Sequence, residues 1–298
     1  MKEAFEGYLD HRRRLGMDPK TIASDKTILY GSFSHSVSER ELDSLKMSDI
    51  ADVVAAGRAH GEYGPQRSVT ALRKFFKYLE DSGVQPPFDW RDIDVPHVPK
   101  KINEYFTKEE LIKILESFDL TKLHGLRERA LCEVLFATGM RISEAISLNK
   151  ADINWETKEA IVVNAKTGDQ QSVLFTDRAL LWLKKYLDAR KDDMPYLFIS
   201  GKGRLLDITA RTYLRTHTTH LGIQKHIKNH AFRKSFATHL IQQGADPATV
   251  SQLCRHRDVR TTLRYYAAIN KERSKEIHTD IMNATLPKAD DENENHES

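Results

Sequence analysis

The chain has 298 residues, 40% of them hydrophobic and 30% charged, with a net charge of +3. That length accommodates two domains, each with its own core, and no apolar run approaches the roughly 20 residues that span a membrane. The start, Met1–Gly16, is charged and lacks the apolar centre of a signal peptide, and Cys132 and Cys254 form neither a disulfide framework nor a CxxC metal site. The composition therefore excludes a disulfide-stapled secreted scaffold and a membrane protein, and fits a reducing cytoplasm. The tail Ala289–Ser298 carries five acidic and no basic residues, so residues 1–288 stand at +8. A basic body of that kind suits a polyanionic partner.

Residues 1–83 read as a helical domain. A first amphipathic helix uses Phe5, Tyr8 and Leu9, a second follows Asp18-Pro19, and a third covers Asp49–Ala56. A fourth presents Val69, Leu72, Phe76 and Leu79 as a stripe, with Arg67, Arg73, Lys74 and Lys77 on other faces. Together with Arg12, Arg13, Arg14 and Lys20 these are candidates to line a DNA backbone; the plainer reading is a set of solvated helix faces. Residues 84–104 form a linker. It holds Pro86, Pro87, Pro96 and Pro99, four of the nine prolines, and Lys100-Lys101 near its end. Such proline density suits an extended spacer, as a two-domain clamp around a duplex needs, or an ordinary interdomain connection.

The second domain, residues 105–288, opens on Thr107-Lys-Glu-Glu110, a capping box ahead of Leu111, Ile114 and Leu115. A buried helix over Ala130–Ala137 ends at Thr138-Gly139 and is followed by Arg141-Ile-Ser-Glu144, with Ala145, Ile146 and Leu148 behind. An arginine wedged there is costly to bury without an anionic partner. Either it pairs with Glu144 or it serves a ligand. Ile161–Val163 and Val173–Phe175 are β-rich runs flanking a hairpin tip that carries Lys166, where a lysine is ordinarily just solvated. Helix resumes over Asp177–Arg190, and the loop Gly201-Lys-Gly-Arg204 lacks the strand–GxxxxGK[ST]–helix context of a phosphate-binding loop. His217, His220, His226 and His230 have no cysteine or acidic companion at metal-ligand spacing, so no metal is expected.

His230–Tyr266 concentrates the chemistry. Phe232, Phe236 and Leu240, spaced every four residues, mark a buried stripe from Lys228 on, and His230 and Arg233 project together from the first turn. Gly244 suits a C-cap, and Asp246-Pro247 an N-cap with proline at the first helical position, with Val250, Leu253 and Cys254 facing inward. A short helix follows from about Asp258. On it Val259, Leu263 and Tyr266 share one face, while Tyr265 points roughly 120° away. Tyr266 thus reads as packing, and Tyr265 as free to reach outward.

Arg141 in ATGMRISE, Lys166 in a hairpin, His230-x-x-Arg233 in HAFRKSFATHL, His256, and Tyr265 in TTLRY resemble the active-site set of the tyrosine recombinase (phage integrase) family, in the family's order and over about 125 residues. The resemblance covers nearly the whole chain and is nearest the two-domain Xer- and Cre-like members. It departs from them in Cys254-Arg255-His256, where the family usually has Leu-Gly-His, in a second tyrosine at Tyr266, and in Ala267, where Xer proteins commonly have His.

The resemblance implies a mainly α fold with a small β-sheet, made of a helical N-terminal core-binding domain and a mixed α/β catalytic domain. It implies a site-specific recombinase that cuts and rejoins DNA through a 3′-phosphotyrosine and a Holliday junction. Tyr265 would attack, Arg141 and Arg233 would hold the phosphate oxygens, His230 and His256 would handle the phenolic proton or bond the phosphate, Lys166 would protonate the leaving 5′ oxygen, and Glu144 would orient Arg141. It further implies no cofactor, a double-stranded recombination site as partner, and a synaptic tetramer. In that tetramer a helix at about 270–283 would be exchanged in trans, with room for a partner recombinase, in a nucleoid-associated cytoplasmic setting. A type IB topoisomerase-like relaxing enzyme and a DNA-binding regulator on a decayed scaffold, with Arg255 obstructing the pocket, are the competing readings.

Overall fold

The structure is a computed structural model. It describes residues 1–32, 41–98, 105–163, 168–201, 203–223, 230–256 and 258–260, and beyond these 262, 263, 266, 275, 278, 279, 281 and 282. Lys100, Lys101, Lys166, Tyr265 and the acidic tail lie outside the described residues. The chain folds as two compact units, Met1–Lys101 and Ile102–Ser298.

Among the described residues, the first unit holds the α-helices α1 (Lys2–Arg14), α2 (Pro19–Ser32), α3 (Met47–Ala56) and α4 (Gly64–Asp81). Asp18 starts α2 by accepting the Lys20 amide at 2.7 Å, with Pro19 at the first helical position, where its missing N–H costs nothing. Val69, Leu72, Phe76 and Leu79 of α4 are buried as the stripe predicts, joined by Phe75, which meets Phe5 edge-to-face at 4.9 Å. A Cβ at Gly64 would collide with the Gly57 carbonyl, so glycine at the start of α4 lets α3 and α4 meet closely.

Residues 84–98 are not the extended spacer that the prolines suggest. Phe88 packs on Phe76 at 5.1 Å, the Trp90 indole donates to Glu80 at 3.1 Å, and Ile93 is 3% exposed within the helical core. The Arg73 guanidinium donates to the Arg91 and Ile93 carbonyls at 3.0 and 2.7 Å, and the Gln66 amide donates to the Pro96 carbonyl at 3.0 Å. Three large apolar side chains among the prolines provide the burial, and α4 side chains satisfy backbone carbonyls that have no ladder partner.

In the second unit, α5 (Lys108–Glu116) begins with the expected capping box: Glu110 accepts the Thr107 amide at 2.8 Å and Thr107 accepts the Glu110 amide at 3.3 Å. The central helix α6 (Leu123–Thr138) is buried along most of its length, and its buried Glu133 is paired with Arg129 at 2.9 Å and Arg178 at 3.0 Å. After α7 (Ile142–Ser147) come β1 (Ile153–Asn154), β2 (Glu159–Val163) and β3 (Gln170–Leu174), an antiparallel sheet in that order, with Ala160, Val162 and Val173 turned to the core. Next are α8 (Asp177–Asp188), a minimal hairpin of β4 (Ile199–Ser200) and β5 (Gly203–Arg204), α9 (Asp207–His220), α10 (Ala231–Gln242) and α11 (Pro247–Leu253). The loop read as Gly201–Arg204 is therefore a hairpin, and its Arg204 closes the end of α7 by donating to the carbonyls of Ile146 at 2.8 Å and Leu148 at 3.2 Å. Among the described residues, no helix is long and apolar enough to cross a membrane.

Two facing predictions are corrected. On α10, Phe232 is buried but Phe236 and Leu240 only partly, while Ala231, Ser235, Thr238 and Ile241 are buried. This helix is packed on two sides, so a single apolar stripe does not describe it. Beyond α11, Val259 and Leu263 are exposed, whereas Thr262 is fully buried and Tyr266 packs with Ile241, Val250 and Cys254. The inward face there is Thr262 with Tyr266, because the Thr262 hydroxyl has a polar partner inside. Leu253 is likewise only half-buried.

Replacing Ile93 by Ala is expected to destabilise the protein by about 2–5 kcal/mol in urea unfolding. An unattached spacer would leave the midpoint unchanged.

Candidate active site

The site is assembled at the end of α6. Thr138 donates its hydroxyl to the Val134 carbonyl at 2.7 Å and accepts the Met140 amide at 3.2 Å, and Gly139 turns the chain with φ of 59°. A Cβ at 139 would strike the Phe236 ring, so both the left-handed backbone and the space demand glycine. The Gly139 carbonyl then accepts Nη1 of Arg233, on the first turn of α10, at 3.0 Å. One turn on, Arg141 is the N-cap of α7 and Glu144 the third residue of that helix.

Glu144 holds the charges together. Its Oε2 accepts the Arg141 amide at 2.8 Å and Nη2 of Arg255 at 2.8 Å, and its Oε1 accepts Nη1 of Arg141 at 2.5 Å. Burial pushes its pKa up, but the hydrogen bonds from Arg141 and the charges of Arg255 and Arg141 outweigh this and hold the carboxyl below its ordinary value.

Around this carboxylate the remaining groups are cations or histidines. Arg233 is 6% exposed, and its Nη2 is buried without a hydrogen-bond partner. Burial lowers its pKa to about 10; Cys254 and Glu144 act the other way, and Arg141 and Arg255 lower it further. His230, the N-cap of α10, keeps an exposed edge. The protein packed round its ring, then Arg233, Arg141, Lys234 and Arg211, hold it below its usual value. His256 shares a 2.8 Å hydrogen bond between Nδ1 and the Thr262 hydroxyl. Burial, then Arg233, Arg141, Arg255 and His230, bring it down to about 4. At neutral pH the described residues of the site thus hold three guanidiniums, one carboxylate and two uncharged imidazoles, an arrangement short of an anion.

The structure therefore brings together Arg141, Glu144, His230, Arg233 and His256. It adds Gly139 and Thr262, which sequence reasoning did not place there, and Arg255, expected only as an obstruction of the pocket, which binds Glu144 instead. Gly139 after Thr138 carried a turn signal, whereas nothing in the local pattern marks Thr262. His217 stacks on Phe118 at 4.3 Å with its Nε2 2.7 Å from the Ser117 hydroxyl, an ordinary packing role.

In the first unit the basic candidates divide. Lys20, Arg67 and Lys74 line one open groove of about 340 Å³ with Thr21, Ser24 and Thr70. Arg67 also donates to the His60 carbonyl at 2.8 Å, Lys77 pairs with Asp81 at 3.1 Å, and Arg13 pairs with Asp10. Arg12 turns inward, 3.5 Å from buried Asp25 and over the Tyr8 ring, and Arg73 turns to the backbone of residues 91 and 93. The reason is the same for both: a buried carboxylate or carbonyl needs a donor.

The model of the phage integrase family matches residues 104–273, more than half of the chain and the whole of the cluster just described. The chain belongs to the phage integrase family, the tyrosine-type site-specific recombinases. Among its relatives in that family, the tyrosine recombinase XerD of Listeria monocytogenes is 28% identical over 280 residues, covering 88% of this chain and 92% of the relative. XerD of Neisseria meningitidis serogroup A is 30% identical over 237 residues, covering 76% and 80%. Solved structures with this fold include the Tn1549 transposon integrase in complex with circular intermediate DNA, with a TM-score of 0.73 at 18% identity, covering 89% of this chain and 95% of that one. Another is the XerH recombinase bound to palindromic difH substrate, with a TM-score of 0.74 at 21% identity, covering 94% and 84%. At those identities the likeness is one of fold.

The histidine environment predicts a stability signature for this recombinase. The unfolded chain protonates His256 near pH 6.5, but the folded one does so only at about pH 4. Stability from this group is therefore whole above about pH 6.5 and declines as the pH falls through that window. Urea unfolding between pH 7 and 4.5 is expected to show His256→Gln losing less stability than wild type, by on the order of 1 kcal/mol after allowance for partial exposure. Parallel losses in the two proteins would contradict the assigned environment.

Proposed function

We propose that this site cleaves a DNA phosphodiester with Tyr265 as nucleophile, leaving a 3′-phosphotyrosine and a free 5′ hydroxyl, and rejoins strands by the reverse step. The observation that carries the proposal is the buried, unpartnered Nη2 of Arg233, in a cluster with Arg141 and two histidines held neutral. A guanidinium nitrogen kept out of water without an acceptor is unfavourable by about 1–3 kcal/mol, and a nonbridging phosphate oxygen is an acceptor that its fork geometry fits.

Arg141 and Arg233 then neutralise the pentavalent transition state, where electrostatic stabilisation does most of the work. With Nδ1 of His256 tied to Thr262, its Nε2 is the nitrogen left for the phosphate or the phenolic proton. His230 is the second such group. Tyrosine has a free pKa near 10 and needs this assistance at neutral pH. The residue stands nine positions after His256 and three after Thr262, the spacing of neighbours on a helix. Lys166 protonates the departing oxygen. Because the phosphotyrosine conserves the energy of the phosphodiester, rejoining needs no nucleotide, and cleavage is expected to survive EDTA.

The partner in this reading is a double-stranded recombination site, consistent with the DNA bound in the Tn1549 integrase structure and the difH substrate bound in the XerH structure. Lys20, Arg67 and Lys74, with Lys77, Arg13, Lys100 and Lys101, supply backbone contacts. Assembly as a tetramer, with the segment at 270–283 exchanged between protomers, is supported by exposed Ile281 and Met282. A largely apolar cavity of about 560 Å³ lined by Leu111, Ile112, Leu115, Phe136 and Ala137 offers such a segment a seat. Work on DNA sets the protein in the cytoplasm with the nucleoid.

A duplex nicked beside the scissile phosphate is expected to trap covalent protein. Tyr265→Phe should abolish the adduct, Tyr266→Phe should retain it, and Arg141→Ala or Arg233→Ala should slow its formation by about 10²–10³-fold. An adduct that survives in Tyr265→Phe and vanishes in Tyr266→Phe would overturn the assignment. Relaxation of any supercoiled plasmid without strand exchange would instead favour a topoisomerase.

A further inference from the structure

Arg255 stands where the resemblance leads one to expect glycine, and its backbone explains that expectation: φ is +52°, in the left-handed region that a side chain adopts only under strain. Arginine at such a position needs a compensating contact. Its side chain is 4% exposed and its Nη2 lies 2.8 Å from Oε2 of Glu144, a residue 111 positions earlier in the chain. That oxygen also takes the Arg141 amide, while the Arg141 guanidinium binds only the other oxygen, through one nitrogen, with its side chain 38% exposed.

The arrangement has a specific consequence for Arg141. An arginine facing a carboxylate alone tends to close a two-nitrogen fork on both oxygens. With Oε2 already occupied by Arg255, Arg141 is restricted to a single bond, and the rest of its fork remains directed away from Glu144. We propose that Arg255 is a positioning residue of this recombinase: by sharing Glu144 it keeps the Arg141 guanidinium open toward the scissile phosphate and adds a third positive charge beside His256. This rests on the reading of the site as the centre that cleaves a DNA phosphodiester.

Among the described residues, the charged and titratable groups acting on His256 are Arg233 and His230 from α10, Arg141 at the start of α7 and Arg255 just past α11, with Thr262 bonded to its ring. Of the charges, Arg255 acts on the imidazole after Arg233 and Arg141. Removing its charge should let His256 take up a proton at higher pH, even though Arg141 and Arg233 remain.

Arg255→Gly is the informative variant, because glycine relieves the left-handed backbone at this position. In DNA-free full-length protein, NMR titration of His256 is expected to move to higher pH than in wild type. With nicked duplex at saturation, single-turnover adduct formation is expected to fall about 10–100-fold, with duplex affinity changed less than about threefold. Arg255→Lys, which keeps the charge, should restore the His256 titration and part of the rate. The proposal is overturned if Arg255→Gly leaves both rate and titration unchanged. It is equally overturned if the rate falls only with loss of thermal stability and with no shift of His256. Failure of wild type to form any adduct would overturn the cleavage reading itself, and the DNA-free titration would still judge the charge of Arg255 at His256.

Discussion

Among the described residues three guanidiniums gather around one carboxylate, with Arg233 and Arg255 buried and Arg141 partly exposed, and Glu144 binds Arg141 and Arg255 at once. Like charges so placed repel strongly at the low effective dielectric of a protein interior. One carboxylate offsets part of that repulsion and leaves an excess of positive charge. The depressed pKa values of Arg233, His230 and His256 all record that excess together with burial.

The surrounding fold serves to keep those charges from escaping to solvent. Arg233 is held by the Gly139 carbonyl, which is presented by a left-handed turn that Phe236 will not let any larger residue make. Arg141 and Glu144 share one short helix, closed at its far end by Arg204 from the β4–β5 hairpin. His256 is fixed from both sides, its amide by the Ser251 carbonyl at 2.9 Å and its ring by Thr262. Arg233, Arg141 and His256 are thus each held by a neighbouring group, which is how a site achieves preorganisation.

In the helical unit the same economy of donors decides which basic residues face outward. Arg12 and Arg73 answer internal acceptors, whereas Lys20, Arg67 and Lys74 share an open groove. Counting basic residues on helix faces does not separate the two groups, because the separation depends on where Asp25 and residues 91–93 come to rest. Ile93, with Phe88 and Trp90 packed beside it, belongs to that unit's core for all its proline neighbours.

What the sequence by itself determined is everything governed by neighbours within a turn or two. The capping box at Thr107 and Glu110, the Asp246-Pro247 helix start, the turn at Gly139, the β2–β3 hairpin and the buried stripe of α4 depend on local backbone chemistry and were legible from spacing alone. So was the set Arg141, His230, Arg233 and His256, because order and spacing along the chain carry the family resemblance. Tertiary structure alone decided which face of α10 is buried, that Thr262 rather than Val259 and Leu263 turns inward, and that Ile93 packs as core with Phe88 and Trp90 beside it. It also decided that Arg255 reaches Glu144 across 111 positions and Arg233 reaches Gly139 across 94. Those outcomes turn on which long-range partner satisfies a buried polar group, and no periodicity along a single segment encodes the partner.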